Sequence, residues 1–155
     1  MEILLAVVAF MLMEPIAALV HRLIMHGVAW VIHASHHRPR EGAFEANDLF
    51  PLLFAAPTVA LFWLGRHDPA AIAVAVGITV YGAAYSFVHD GYIHERFGRL
   101  PRNRVLEYLK RAHAIHHLYN EGPYGMLLPV VPRKHRSKLA LEVVRSWHPS
   151  VARAA

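Results

Sequence analysis

The chain contains no cysteine. Disulfides, thiolate metal sites, iron–sulfur clusters and cysteine nucleophiles are therefore excluded, and any metal must be held by nitrogen and oxygen. Charge is also scarce. Asp, Glu, Lys and Arg make up 17% of residues, against about 25% in a typical soluble domain. The sequence has no Gly-rich dinucleotide loop and no Glu-x-x-His motif of the soluble di-iron bundles. No Gly/Ser linker, low-complexity tract or acidic tail divides it, so a single domain over residues 1–155 is expected. Met1 and Glu2 give no positive n-region, and the apolar run continues through Met13 without a small-residue cleavage site. A cleavable secretory signal is therefore not expected.

What is present is apolar. Hydrophobic residues make up 55% of the chain and the mean hydropathy is +0.30. The net charge of +5 lies around apolar runs, which favours a membrane surface over nucleic acid as partner. Three runs suit spans at about residues 3–21, 49–65 and 70–88. The fold class expected is all-α, an integral membrane helical bundle of about three to four spans with a histidine-rich di-metal cap. The first run has no turn signal before Pro39, so one long helix from Ile3 to His37 is predicted, with Pro15 kinking it and Gly27 tolerated. Glu14 lies inside it as a candidate intramembrane acid, or as a partner for Arg22. The second and third runs read as a hairpin turning at Arg66–Pro69, the third rich in Ala and Gly for close helix contact. Asn103 can cap a helix over residues 104–119. Met126–Pro132 is too short to span, and residues 133–148 read as a basic amphipathic tail lying on headgroups.

Ten of the thirteen histidines form a duplicated pattern. His21-x4-His26 precedes His33-x2-His36-His37, and His89-x4-His94 precedes His113-x2-His116-His117. About 100° per residue puts the first five on one half of a helix, and the i, i+3, i+4 triplets can share a ligand. Polar surface residues would not explain the recurrence. Ten imidazoles exceed the needs of one ion and suit two metals of high coordination, each keeping a position for oxygen or water. Imidazole suits iron, zinc, copper and nickel; the membrane setting and O2 chemistry favour iron. Glu45, Asn47 and Asp48 are candidates to accept imidazole N–H bonds, or to cap the next helix. His67, His135 and His148 fall outside the pattern and are assigned no chemistry.

These motifs stand in HRLIMHGVAWVIHASHHRPREGAFEANDLF and in HDGYIHERFGRLP…LKRAHAIHHLYNEGPYG. On them the chain resembles the membrane fatty acid hydroxylase and sterol desaturase superfamily, and within it the bacterial-type β-carotene hydroxylases. The resemblance covers roughly residues 14–140, and none of the ten histidines departs from the pattern. It implies a non-haem di-iron monooxygenase with two Fe ions and O2 as co-substrate. Electrons would come from reduced ferredoxin or a similar donor. The reaction would hydroxylate the β-ionone rings of β-carotene to give β-cryptoxanthin and then zeaxanthin. His21, His26, His33, His36 and His37 would supply one half of the centre, and His89, His94, His113, His116 and His117 the other.

A hydrocarbon substrate would enter from the bilayer past Trp30, Phe44, Tyr85 and Phe87, unless these rings are anchors or core. The basic stretch Arg102–Arg111 suits an acidic ferredoxin or lipid headgroups. With two spans between the histidine sets, both reach one membrane face. Arg66 alone of sixteen Lys and Arg lies on the other, so the histidine face is expected to be cytoplasmic at a bacterial inner membrane. The rival readings are a hydroxylase or desaturase of a sterol or fatty acyl chain, and a non-enzymatic metal transporter or store.

Overall fold

The computed structural model describes residues 1–39 and 42–149. Helix α1 spans Glu2–Val20 and continues through Pro15. A π-helical stretch, His21–Val28, extends it until the backbone departs from helical geometry at Gly27 (φ −106°, ψ −115°). One short turn, α2 (Trp30–His33), follows. The single helix expected to run to His37 is therefore broken at Gly27. An unbroken rod would carry His33, His36 and His37 away from His21, whereas the break folds them back onto it.

A 3-10 turn, Ala46–Asp48, leads into α3 (Leu49–Leu64). Helix α4 (Pro69–Ser86) starts at an Asp68 cap, whose side chain accepts from the Ala70 amide, and runs on as a π-helical Phe87–Ile93. Helix α5 covers Arg104–Tyr119. Asn103 Oδ1 accepts from the Val105 and Leu106 amides at its start, and a left-handed Asn120 ends it. No strand occurs among the described residues.

Three helices are long and apolar enough to cross a membrane: Glu2–Val28, Ala46–Leu64 and Pro69–Ile93. Met126–Pro132 forms no helix and adds no fourth span. Side chains such as Ile3, Leu52, Val59 and Trp63 point outward, as a lipid-facing surface requires. Helices α1 and α3 both pack on α4 but not on each other. Lipid gives little apolar drive between helices, so close approach relies on small residues. At Gly77 a Cβ would lie 2.2 Å from the Ala6 carbonyl oxygen, so only glycine permits this crossing of α1 and α4.

Glu14 is buried in α1 and does not pair with Arg22. Its carboxylate accepts from Tyr81 Oη of α4 at 2.7 Å and from the amides of Leu127 and Leu128 at 3.2 and 2.9 Å. The intramembrane acid thus ties the loop after α5 to the spans.

The hydrophobic core lies in the cap. Val88, Tyr92 and Ile93 meet Leu109, Ala112, Ile115 and Leu118 of α5, with Met126, Val131, Val144 and Trp147 closing over them. The tail is accordingly not one amphipathic helix on headgroups. It forms a 3-10 segment, Arg133–Ala140, and a short α6, Glu142–Arg145, with His135, Val144 and Trp147 buried. Burying those three side chains against α5 outweighs continuous helix.

Candidate metal centre

The first H-x4-H motif lies on the π-helical His21–Val28, and the second starts on the π-helical Phe87–Ile93 and ends at its cap, His94. A π-helix bonds i to i+5, and the His94 amide reaches the His89 carbonyl at 2.8 Å in that pattern. Residues five apart therefore share a face. The His21 and His26 rings are 5.1 Å apart and those of His89 and His94 4.6 Å. An α-helical wheel sets such residues well round from each other, so the sequence expectation misjudged their relation. The spacing of four intervening residues, used twice, was the signal. His113, His116 and His117 use ordinary α spacing at the end of α5.

The structure brings all ten histidines together, but not as two sequence halves. Potential ligand atoms of His21, His26, His33, His37 and His116 lie within 4.8 Å of one another. Those of His36, His94, His113 and His117 do the same. His116 has joined the first set and His36 the second. His89 completes the second, with its Nε2 2.9 Å from His36 Nε2. The two clusters abut where the His37 and His117 rings stack, 4.4 Å between centroids.

Hydrogen bonds at the rear of the rings fix their tautomers. His33 Nδ1 donates to Asn47 Oδ1 at 2.6 Å, His36 Nδ1 to Glu45 at 2.9 Å, and His89 Nδ1 to Asp90 at 3.0 Å. His21 Nδ1 donates to the Tyr124 carbonyl at 3.0 Å and His116 Nδ1 to that of Glu121 at 2.9 Å. All five partners are oxygen acceptors, so each Nδ1 carries the hydrogen and each neutral Nε2 presents a lone pair inward. His21 and His33 then face each other Nε2 to Nε2 at 3.1 Å, and His36 and His89 at 2.9 Å, lone pair against lone pair. No hydrogen bond is possible in such a pair. A cation between the nitrogens removes the repulsion, and this donor set fits a bound metal ion.

Burial holds the rings neutral. It pushes His36, His94, His113, His116 and His117 well below the usual histidine range, and neighbouring imidazoles push the same way. His33 is pushed down to about 4, chiefly by burial, against the opposing bond to Asn47. Neutral imidazole is the form that binds metal.

Of the three acceptor candidates, Glu45 and Asn47 serve histidines directly. Asp48 instead takes a bidentate bond from Arg96, both contacts at 2.6 Å. Arg96 also stands 3.7 Å from Asp90 and so links the two carboxylates. Sequence reasoning missed Asp90, Arg96 and the two carbonyls; the Asp directly after His89 was a legible hint. His135 and His148 are outside the clusters but not idle. His135 bonds Glu121 at 2.5 Å, beside the carbonyl that orients His116, and His148 bonds Glu95 at 3.1 Å.

Residues 6–137 match the fatty acid hydroxylase family. The chain belongs to that family. It is 47% identical over 108 residues to a β-carotene hydroxylase of Pantoea ananas, covering 68% of this chain and 62% of that protein. It is 44% identical over 117 residues to a β-carotene hydroxylase of Pseudescherichia vulneris, covering 74% and 66%. A chloroplastic β-carotene 3-hydroxylase of Haematococcus lacustris is 43% identical over 145 residues, covering 86% and 45%. The chain thus spans under two thirds of the length of these relatives. No solved structure matches it.

Between α1 and α3, with α4 as floor, the chain has a groove of about 510 Å³. Met13, Phe54, Phe62 and Ile78 line its apolar length, and His21, His33 and His89 close its end. Thr58 and Thr79 turn their hydroxyls onto the carbonyls of Phe54 and Ala75 in their own helices, at 2.9 and 2.8 Å. The walls consequently offer few free polar groups. Of the four rings expected to line an entry path, only Tyr85 does. Trp30 lies against His26 and His37, while Phe44 and Phe87 point outward.

Proposed function

We propose that this chain is a membrane di-iron monooxygenase that hydroxylates the β-ionone rings of β-carotene, giving β-cryptoxanthin and then zeaxanthin. The observation that carries the reading is the groove: an apolar slot of about 510 Å³ between spans that ends on histidines of both clusters. Its volume suits a pocket for one apolar ring system. The similarity to proteins named β-carotene hydroxylases supports the same substrate.

The ten histidines hold two irons in this reading. His21, His26, His33, His37 and His116 serve one; His36, His89, His94, His113 and His117 serve the other. Two irons so held would supply reductive activation of O2 and attack on an unactivated C–H bond. The chain's own residues do the rest. Asn47, Glu45, Asp90 and the Tyr124 and Glu121 carbonyls hold the Nδ1 hydrogens of His33, His36, His89, His21 and His116, so those five Nε2 atoms stay aimed at the centre. Met13, Phe54 and Phe62 exclude water and position the ring. The balance is one C–H, one O2, two electrons and two protons in, with one C–OH and one water out. The electrons come from ferredoxin or a similar carrier.

The histidine face is cytoplasmic and the membrane is a bacterial inner membrane. Support comes from the Lys and Arg distribution, with Arg66 alone on the far side. A reporter fused at Asp68 is expected on the periplasmic side and one at Gly42 in the cytoplasm.

The direct test is expression in a host that makes β-carotene, with pigment and lipid analysis. Zeaxanthin is the expected product. Unchanged β-carotene with a hydroxylated or desaturated sterol or acyl lipid would assign the same centre to a different substrate. Metal uptake with no O2-dependent product would point to a store or transporter.

A further inference from the structure

A second cavity, of about 180 Å³, opens on the basic face of the cap between the loop after His94, α5 and the tail. Five of its lining side chains are cationic and two are carboxylates. Glu95 takes Lys110 at 2.7 Å and Arg99 at 3.1 Å, and Glu107 accepts from Tyr92 at 2.7 Å. Arg102, Arg111 and Arg145 remain with no ion pair among the described residues. Arg102 and Arg145 are exposed to solvent.

Trp147 lines this cavity although its side chain is only 6% exposed. Its other side lies against the second cluster. Ring centroids are 5.2 Å from His117, 5.8 Å from His94 and 6.3 Å from His113. It joins this cavity to cluster histidines. A single indole therefore separates a basic recess from three imidazoles.

We propose that the cavity is the docking site of an acidic one-electron carrier protein, and that Trp147 is the side chain across which its electrons reach the second histidine cluster. The inference rests on the monooxygenase reading, which requires an external reductant. Each turnover consumes two electrons with one O2 and two protons. The carrier arrives twice, loses one electron each time and leaves oxidised; the indole ends each passage unchanged. Small, charge-steered interfaces suit such brief encounters. A lipid headgroup would satisfy the arginines but would give the contact between Trp147 and three imidazoles no purpose.

The test uses the full chain, iron-loaded and in nanodiscs, with a reduced plant-type [2Fe–2S] ferredoxin as probe. Ferredoxin affinity is read across a salt titration, and anaerobic oxidation of ferredoxin by the loaded chain is read in a stopped-flow instrument. In Arg102→Glu/Arg145→Glu, affinity should fall about ten-fold at low salt and its salt dependence should flatten. In Trp147→Leu, affinity and iron content should persist while electron transfer slows about ten-fold or more; Trp147→Phe should stay close to wild type. These results support the proposal.

Wild-type transfer in Trp147→Leu would overturn the route, as would loss of iron in both Trp147 variants, which would make the indole a packing wedge. Unchanged ferredoxin affinity in the arginine variant would overturn the docking site; loss of co-purifying phosphatidylglycerol there would identify a headgroup pocket instead. A wild-type chain that oxidises ferredoxin but yields no O2-dependent product would sink the monooxygenase reading and leave this inference standing. Product formed with viologen as reductant, together with indifference to ferredoxin, would do the reverse.

Discussion

The spans and the cap of this chain are held together by opposite means. Across the spans few apolar side chains are buried, and large ones such as Ile3 and Trp63 face outward. Lipid solvates these surfaces as well as a neighbouring helix would, so contact depends on the Gly77 crossing and on Glu14. The cap has a continuous core from Val88 to Trp147, and eight of the ten motif imidazoles are buried. The loosely joined half can leave a groove between α1 and α3. The tightly packed half keeps ten rings aimed inward. Fixed imidazole geometry and an open path for an apolar molecule therefore coexist because they occupy different solvents.

The largest break in this division comes from the two histidines that cross between sequence halves. His36→Ala or His116→Ala removes a ring that couples one motif set to the other set's cluster. Iron content and hydroxylation should both fall more than about 100-fold, beyond the cost of losing a mere outer-shell partner. Membrane insertion should persist. Metal analysis of purified protein with pigment analysis of cells checks it; near-normal iron in either variant would refute the crossed arrangement.

Much of this arrangement is legible in the sequence, and the gaps have physical causes. The three apolar runs, the Asn103 cap and the end of α5 near Asn120 follow from local chemistry that membrane or cap packing reinforces. The ten histidines were visible as a set. Their partition was not, because His36 and His116 are assigned by the return of the chain at Gly27 and by the approach of α5, both tertiary events. An α periodicity misplaces the H-x4-H motifs, because their i, i+5 spacing belongs to a π-helix. The groove lining escaped because α1 and α3 carry apolar residues all round, and hydropathy cannot tell a lipid face from a slot.

The spans should be more sensitive to bulk than the cap is to small losses. Gly77→Leu drives a side chain into the Ala6 carbonyl and should cost about 3 kcal/mol, seen as a lower unfolding temperature in detergent. Tolerance of leucine would mean that α1 and α4 are not held at this distance. Glu14→Leu leaves Tyr81 Oη and two backbone amides without their acceptor, at a cost of about 2 kcal/mol; Glu14→Gln should recover part of it. Equal stability of the two variants would show that the latch contributes nothing.

The smallest effect concerns protons in the metal-free cap. His33 has a folded value near 4, below about 6.5 for a free imidazole. A depressed value means that the unfolded chain binds the proton first. Its contribution is therefore complete above about pH 6.5 and is lost as pH falls toward 4. For His33 alone this amounts to about 2 kcal/mol by pH 5, and His36, His94, His113, His116 and His117 act in the same direction. Metal-free protein should unfold at lower temperature at pH 5 than at pH 7. His33→Asn should reduce that difference; a flat profile would contradict neutral buried rings.

The gap between α1 and α3 also decides the units in which this protein meets its substrate. A slot walled by two spans that do not touch each other opens sideways, into the plane of the bilayer. An apolar molecule reaching it travels by lateral diffusion in two dimensions, never as a dissolved species. For the proposed reaction, half-saturation is then set by mole fraction among lipids, so adding inert phospholipid at constant total substrate should slow product formation although nothing in the water has changed.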